Sequence, residues 1–241
     1  MEIYLESPNP GINEQELAKR LDLVLVNEKP LGLHLKINGD GLFLEDADLC
    51  MQGDFTESIK RLTHANLSHE LLVKTAKLKN IEHPCLIDAT AGMGEDSLLL
   101  AAAGFEVELY ESDMIIAALL EDTLRRARLN EALAPIISHM HLHIEDSIKA
   151  MNSLDYTPDV VLLDPMFPER KKSGLIKKKF QLMQQLEHPC SNEFDLLNAA
   201  MHANPKKIVI KRPAKGPYLA GKKPSYSTDG KAIRYDCIIN N

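Results

Sequence analysis

The segment DATAGMGED, at residues 88–96, combines glycines and carboxylates in a pattern that suits a ligand-binding turn. Gly92 and Gly94 would let backbone amides approach a ligand where a β-carbon would collide. Glu95 and Asp96 stand where a helix would begin, and acidic side chains there suit a cationic ligand better than a phosphate. The third glycine of the dinucleotide-binding G-x-G-x-x-G turn is absent. The alternative interpretation is a glycine turn whose acidic residues only cap the helix.

Further polar residues follow the next two predicted strands. Glu111 stands 17 positions beyond Gly94, close to the offset of about 20 at which an acidic side chain meets ribose hydroxyls. Asp146 and Ser147 close the following strand, where they could contact an adenine amine or cap the next helix. Glu111 could equally be an ordinary strand-end carboxylate that faces water.

The segment DPMFP, at residues 164–168, predicts a catalytic loop. Asp164 would leave the sheet at the ligand edge, Pro165 would stiffen the loop, and Phe167 offers a flat apolar face. This arrangement fits an extruded nucleic-acid base whose exocyclic amine donates to Asp164 while the base stacks on Phe167. A proline-rich turn with a buried phenylalanine is the alternative.

Charge is distributed unevenly along the 241 residues. Residues 165–241 hold 15 Lys and Arg against 6 Asp and Glu, whereas the rest holds 13 against 29. A phosphate-bearing partner would therefore meet the C-terminal third, although a solvated lysine surface is the alternative. The predicted RNA contacts are the basic run after DPMFP and two residues of a later strand, namely Arg170, Lys171, Lys172, Lys177, Lys178, Lys179, Lys211 and Arg212.

Other site classes find little support in the sequence. The histidines of HMHLH, at residues 139–143, have no second ligand cluster nearby, so we expect no metal site. No run approaches the roughly 18 apolar residues of a membrane-spanning helix, and the first ten residues lack the features of a secretory signal. We therefore expect a cytoplasmic protein with no membrane partner. No obligatory protein partner is evident.

These candidate residues require a scaffold that aligns the ends of several strands. From about residue 66, short apolar runs alternate with helical periods, which predicts a doubly wound, mostly parallel α/β sheet. The predicted strands are 85–89, 105–111, 141–145, 159–164 and 207–212, with a final edge strand at 232–239. One predicted helix begins at Ser68, and three others cover about 95–103, 113–133 and 192–203.

Residues 1–65 predict a small N-terminal α+β domain, which leaves residues 66–241 as the main domain. Residues 13–21 have a helical pattern. The alternating segments 31–37 and 41–46 are separated by Asn-Gly-Asp-Gly, which predicts a β-hairpin.

Taken together, these motifs resemble those of class I S-adenosylmethionine-dependent methyltransferases, which have a Rossmann-like fold. DPMFP resembles the D-P-P-Y type motif of amine-directed nucleic-acid methylases. More narrowly, DATAGMGEDSLLLA, the AALL of the next helix, LDPMFP with KKSGLIKKK, and VIKRP at 209–213 resemble the ribosomal RNA small subunit methyltransferase J family over about residues 66–240. The resemblance implies methylation of a guanine N2 amine in 16S ribosomal RNA, with that RNA or the 30S subunit as partner.

The resemblance also implies S-adenosyl-L-methionine as the cofactor and assigns its site. The expected contacts are the glycine turn and the polar strand ends, namely Asp88, Gly92, Gly94, Glu95, Asp96, Glu111, Ser112, Asp146, Ser147 and Asp164. Two positions depart from the pattern. Glu95 replaces a basic residue, so its contact would be through the backbone, and Met166 replaces the second proline of the amine-methylase motif.

Three alternatives stay open at this point. Another RNA or DNA base amine is one possible target. A non-catalytic RNA-binding protein on the same fold is another interpretation, and the intact Asp164 and Phe167 speak against it. A nicotinamide-dependent oxidoreductase is disfavoured by the missing third glycine and by the DPMFP loop.

Overall fold

The computed structural model describes residues 1–7, 11–165, 178–186 and 192–240, and in these ranges the strands form two sheets. The N-terminal elements are β1 (Glu2–Leu5), α1 (Ile12–Leu21), β2 (Val24–Val26), β3 (His34–Asn38), β4 (Gly41–Asp46) and β5 (Leu49–Met51). Their strands make one sheet in the order β2-β1-β3-β4-β5. The predicted hairpin is confirmed, because β3 and β4 pair antiparallel with Asn38 opposite Gly41.

The second sheet carries the remaining strands. Its elements are α2 (His64–Leu67), α3 (Leu71–Ala76), β6 (Cys85–Asp88), α4 (Glu95–Ala102), β7 (Glu106–Tyr110), α5 (Met114–Ala127), α6 (Ala134–Ile137), β8 (Met140–His143), α7 (Ser147–Asn152), β9 (Val160–Leu163), α8 (Lys178–Leu186), α9 (Glu193–His202), β10 (Lys207–Pro213), β11 (Tyr226–Asp229) and β12 (Ile233–Ile239). The order is β11-β12-β10-β9-β6-β7-β8. Strands β10, β9, β6, β7 and β8 run parallel, which confirms the predicted α/β sheet.

Side chains of the central strands alternate between two apolar layers. Leu86, Val160 and Leu162 pack into a cluster with α3, α4, α5 and α6. Their neighbours Ile87 and Val161 pack into a second cluster with α7 and α9 on the other face. Because both faces are covered, these strands are continuous apolar runs in the sequence.

Three boundaries differ from the sequence-based predictions. The helix predicted to begin at Ser68 begins at Leu71, since Ser68 ends the short helix α2. The helix predicted over 113–133 ends at Ala127. The strand predicted at the C-terminal edge is β12, which lies between β10 and β11, so β11 is the edge strand and was missed.

The N-terminal sheet shares its core with helices of the second sheet. Ile3, Leu35 and Leu44 of the first sheet belong to one buried cluster with Leu119 of α5 and Leu182 of α8. The sheet therefore packs directly on α5 and α8.

Asp122 of α5 fastens the hairpin to this helix. Its Oδ2 accepts from the backbone N–H of Leu42 at 3.1 Å and from Nε of Arg126 at 2.8 Å. Arg126 in turn donates to the carbonyl of Gly53 at 2.5 Å. Gly41 makes the close approach possible, because a β-carbon there would lie 2.7 Å from Asp122 Oδ2 at a φ of +125°.

Histidines in β8 and just before it face carboxylates of β7. His139 Nδ1 lies 2.6 Å from Glu106 Oε1, and His143 Nε2 lies 2.5 Å from Glu108 Oε2. Within the described ranges, no group of three or more His, Cys, Asp or Glu side chains is placed to hold a metal ion. In the same ranges no helix combines the length and apolar character needed to cross a bilayer.

We predict that Asp122→Ala lowers the free energy of unfolding by about 1–3 kcal/mol, because it removes the acceptor of a partly buried N–H and of a guanidinium. Urea unfolding would measure the change. Glu121→Ala is the matched control, since this neighbouring carboxylate pairs with Arg20 at the surface and should contribute less than about 1 kcal/mol. Equal losses for the two variants would contradict the docking role of Asp122.

Candidate active site

A cavity of about 700 Å³ lies at the carboxyl ends of β6, β7, β8 and β9. Within the sheet, β7 and β8 lie on one side of β6. The chain then crosses to β9, which lies on the other side of β6. The cavity therefore lies at the topological switch point, where open α/β sheets bind ligands.

The predicted glycine turn forms one wall of this cavity. Gly92 and Gly94 have φ values of +53° and +74°, which favour glycine. A β-carbon at Gly94 would lie 2.8 Å from Leu120 Cδ1, whereas one at Gly92 would meet nothing within 4 Å. Gly94 is thus required by packing against α5, and Gly92 leaves open space beside the turn.

Hydrogen bonds tie the turn to two neighbouring strands. Glu111, just beyond β7, accepts from the N–H of Gly92 at 3.0 Å and from the N–H of Asp113 at 2.8 Å. Burial raises the pKa of Glu111, and these two hydrogen bonds oppose the rise. The N–H of Asp164, just beyond β9, donates to Thr90 Oγ1 at 2.7 Å. Sequence reasoning missed Thr90, although it lies inside the DATAGMGED motif.

Asp88, the last residue of β6, accepts hydrogen bonds from the turn and from α4. Its side chain is 2% exposed, and it accepts from Ser97 Oγ at 2.6 Å and from the N–H of Thr90 at 3.2 Å. Burial raises the pKa of this carboxyl to about 7. Asp88 therefore holds the start of α4 against β6.

Two aspartates at strand ends cap the helices that follow. Asp113 accepts from the N–H groups of Ile115 and Ile116, both at 2.9 Å. Asp146 accepts from the N–H of Ile148 at 2.9 Å, so the capping alternative considered for Asp146 holds. The adjacent Ser112 is exposed and Ser147 is buried, and both line the cavity with Asp146.

Lys211 of β10 connects Asp164, just beyond β9, to the start of α4. Its Nζ lies 2.8 Å from Asp164 Oδ2 and 2.7 Å from Asp96 Oδ2. Burial raises the pKa of Asp164, and Lys211 opposes this rise. Burial alone would lower the pKa of Lys211, but the two carboxylates raise it above its ordinary value. Lys211 is therefore a cation held inside the cavity.

The cavity is strongly acidic. Its carboxylates in the described ranges are Asp88, Glu95, Asp96, Glu111, Asp113, Glu145, Asp146 and Asp164. Lys211 is the one Lys or Arg residue among the described lining residues. Such a field favours a ligand with positive charge.

The structure changes the interpretation of the two predicted RNA-binding residues on β10. Arg212 is 1% exposed and donates to the carbonyl of Pro217 at 2.8 Å and to Glu193 at 3.2 Å, so it is buried away from any phosphate. Lys211 faces Asp164 and Asp96 inside the cavity. Both were predicted as surface cations because a basic pair at the end of a strand is usually solvated.

Of the remaining predicted residues, Pro165 lies inside the described ranges and most others lie outside them. Pro165 is buried and lines the cavity beside Asp164. Phe167, Arg170, Lys171, Lys172 and Lys177 fall outside the described residues. Lys178 and Lys179 begin α8, and their side chains are also outside the description.

Comparison with known proteins identifies the family. The family model for SAM-dependent methyltransferases matches residues 16–240. Ribosomal RNA small subunit methyltransferase J from Thioalkalivibrio sulfidiphilus is 37% identical over 93% of this chain and 92% of its own length. The protein of the same name from Pseudomonas aeruginosa is 38% identical over 97% and 93%. The chain belongs to this methyltransferase J family.

The methyltransferase also resembles solved structures. A SAM-dependent methyltransferase from Neisseria gonorrhoeae matches it with a TM-score of 0.80 and 29% identity, over 99% of this chain and 96% of that chain. An rRNA methyltransferase from Streptomyces viridochromogenes, 15% identical over 73% of this chain and 85% of that chain, has a TM-score of 0.50 and shows the fold alone. The expected class I methyltransferase fold is confirmed.

The cofactor of this methyltransferase is S-adenosylmethionine, and the cavity fits it. The ligand carries a sulfonium and an ammonium group, and an acidic cavity at the switch point suits both charges. A volume of about 700 Å³ lies within the range of small-molecule sites.

We predict a pH-dependent stability difference between the wild type and Asp88→Asn. The unfolded chain ionises Asp88 near 3.8, but the folded chain retains the proton to about 7. Stability from this group is therefore present at low pH and is lost as pH rises between these values. Asparagine avoids the cost of burying the charge, on the order of 4 kcal/mol.

Thermal unfolding at pH 5 and pH 8 would test this difference. The Tm of Asp88→Asn relative to the wild type should increase between the two pH values. Asp155→Asn, at an exposed position, controls for the loss of a carboxylate. A relative Tm that is the same at both pH values would be inconsistent with a buried, proton-retaining Asp88.

Proposed function

We propose that the methyltransferase methylates the exocyclic N2 amine of a guanosine in small-subunit ribosomal RNA. The relatives named ribosomal RNA small subunit methyltransferase J support this substrate class. The observation that carries the proposal is Asp164, whose carboxylate lines the cavity immediately after β9 and is held by Lys211. A carboxylate there can accept hydrogen bonds from an amine.

The cofactor contacts are proposed for residues around the switch point. When bound, S-adenosylmethionine supplies an electrophilic methyl group. Glu111 lines the cavity just beyond β7, and its carboxylate is proposed to accept hydrogen bonds from ribose hydroxyls. Asp96, Ser112, Asp146 and Ser147 line the same cavity. With Asp88, Gly92, Gly94 and Glu95, they complete the proposed cofactor site.

Asp164 would act on the target amine. The guanine N2 amine is a weak nucleophile because its lone pair is delocalised into the ring. A hydrogen bond to the Asp164 carboxylate favours the pyramidal amine, which directs the lone pair towards the methyl group. Burial raises the pKa of this carboxyl, and Lys211 opposes the rise and so favours the ionised form. Positioning of the two reactants could supply about 7–11 kcal/mol of the barrier reduction.

The remaining catalytic and RNA contacts are proposed from the sequence. Pro165 would fix the direction of the loop, and Phe167 would stack on the extruded base. The RNA backbone would pass along Arg170, Lys171, Lys172, Lys177, Lys178 and Lys179. We further propose residues 1–65 as an N-terminal domain docked on the methyltransferase domain of residues 66–241, and a cytoplasmic location together with the small subunit.

Methyl transfer with a labelled cofactor tests this function directly. Small ribosomal subunits and naked subunit RNA would be offered separately, and the products would be digested to nucleosides. Label in N2-methylguanosine is the expected result. Label in another nucleoside would overturn the target amine, and no label with either RNA would overturn the substrate class.

Two substitutions at Asp164 separate its possible roles. Asp164→Ala should lower kcat at least about 100-fold, because it removes the acceptor that stabilises the transition state. Asp164→Asn retains an acceptor oxygen and should keep more activity than the alanine variant. If asparagine is as inactive as alanine, then Asp164 must carry charge or accept a proton. If both variants are fully active, then the assigned role is wrong.

Substitution of Lys211 should change the pH dependence of kcat. The charged groups that act on Asp164 are Lys211 and Arg212 from β10 and Asp96 from α4. Without Lys211, burial and Asp96 both raise the pKa of Asp164, so the acidic limb of the profile should move to higher pH. Lys211→Met is the test, and Lys211→Arg keeps the charge and should largely restore the wild-type limb. An unmoved limb in Lys211→Met would contradict this electrostatic role.

A further inference from the structure

The chain leaves β10 in a surface loop whose carbonyl groups are held by two arginines. Arg234 NH1 donates to the carbonyls of Pro213, Ala214 and Gly216 at 3.2, 3.1 and 2.9 Å. Arg212 Nε donates to the carbonyl of Pro217 at 2.8 Å. The loop of residues 213–218 is called the clamped loop below.

Both arginines also form ion pairs with carboxylates. Arg234 pairs with Asp236 through Nε to Oδ1 at 2.8 Å and NH2 to Oδ2 at 3.0 Å. Arg212 pairs with Glu193 of α9. The two arginines are 7% and 1% exposed. Burying two guanidinium groups costs free energy of desolvation, although a surface loop can satisfy its carbonyls with water. Because the chain bears this cost at a surface loop, the arrangement indicates that the backbone conformation of residues 213–218 is important.

The clamped loop presents a cation and an aromatic ring to solvent. Lys215 is exposed, and Tyr218 is 40% exposed. The guanidinium of Arg234 lies over the Tyr218 ring, 5.0 Å from its centre, which is a cation–π contact. A partly exposed ring that has a buried cation against it is suited to stacking with a further planar group.

A groove of about 420 Å³ runs beside this ring. Its other polar lining includes Ser227 and Asp229 of β11. Because Ser227 Oγ donates to Asp236 Oδ1 at 2.6 Å, both groups can accept hydrogen bonds from the amino and imino groups of a nucleobase edge. The exposed Lys222 and Lys223 follow the loop in sequence, so positive charge predominates in this segment.

The clamped loop lies on the same edge of the sheet as the candidate active site. It begins at the carboxyl end of β10, and Lys211 of that strand contacts Asp164 in the cavity. Strand β10 pairs in parallel with β9, whose carboxyl end leads to Asp164. An RNA chain with one base in the cavity could therefore reach the loop with a neighbouring segment.

We propose that the clamped loop docks the RNA substrate, with an unpaired base stacked on Tyr218 and a phosphate on Lys215. The inference rests on the proposed function and deepens it, because it adds a contact away from the target base. An unpaired nucleotide fits best, since stacking requires an open base face and the groove offers hydrogen bonds to base edges.

Matched variants of Tyr218 test the stacking contact. Tyr218→Leu keeps apolar volume but loses the ring, whereas Tyr218→Phe keeps the ring. With small-subunit RNA as substrate, Tyr218→Leu should raise KM about tenfold and leave kcat within about twofold. Tyr218→Phe should behave like the wild type. An unchanged KM for Tyr218→Leu, or a fall in kcat alone, would overturn the stacking role.

Variants of Lys215 test the phosphate contact by filter binding of the same RNA at several salt concentrations. Lys215→Ala should weaken binding and lower the slope of log affinity against log salt by about 0.7–0.9, the value for one phosphate. Lys19→Ala, at an exposed position on α1, is the control and should leave the slope unchanged. An unchanged slope for Lys215→Ala would overturn the contact.

Different results would overturn the proposed function and the docking surface. A wild-type enzyme that transfers no methyl group to small-subunit RNA overturns the proposed function. A wild-type enzyme that methylates this RNA, together with Tyr218→Leu and Lys215→Ala variants that match it in KM and salt dependence, overturns only the docking surface.

Discussion

The turn between β6 and α4 is fixed by hydrogen bonds to the ends of its neighbouring strands, and the candidate site depends on this arrangement. Asp88 holds the turn from β6, and Glu111 holds the N–H of Gly92 from β7. Thr90 holds the N–H of Asp164 from β9. One backbone segment thus sets the relative positions of the cavity and of Asp164. Movement of the turn would displace both.

The charge pattern separates the two ligands of the enzyme. Carboxylates surround the cavity, which favours a cationic cofactor but repels phosphate. Lys211 reduces this repulsion next to Asp164, where the neutral target base would enter. Exposed lysines such as Lys215 lie outside the cavity, so the proposed RNA contacts and the acidic cavity differ in the sign of their charge. This separation explains how a chain with a net charge of −7 can act on RNA.

Much of the parallel sheet could be predicted because burial on both faces makes its strands continuous apolar runs. The glycine turn could also be predicted, since the positive φ angles at positions 92 and 94 favour glycine. The edge strand β11 has the polar sequence YSTD and lacks such a signal. The sequence did not predict that Lys211 and Arg212 turn inward, because this depends on which side chains lie next to β10 in the folded chain. Sequence alone shows two cations at a strand end.

The helix boundaries show the same limit. Ser68 suggested a helix start because serine is a frequent N-cap, yet the chain has already completed a short helix there. Asp146 illustrates the opposite case, since one residue has two plausible roles and the structure shows its capping bond. Local patterns define which residues can cap, and tertiary packing decides where each helix begins.

The shared core of the N-terminal sheet also matters for how the enzyme unfolds. Ile116, Met183 and Leu186 belong to the cluster beneath this sheet, and the same residues line the cavity. The wall of the cofactor site is therefore the outer layer of a core that the first sheet completes. Separation of that sheet would expose apolar surface on α5 and α8 and open the site to water. Because the cavity and the N-terminal core share these side chains, we expect a bound cofactor to stabilise the packing of the first fifty residues through mass action.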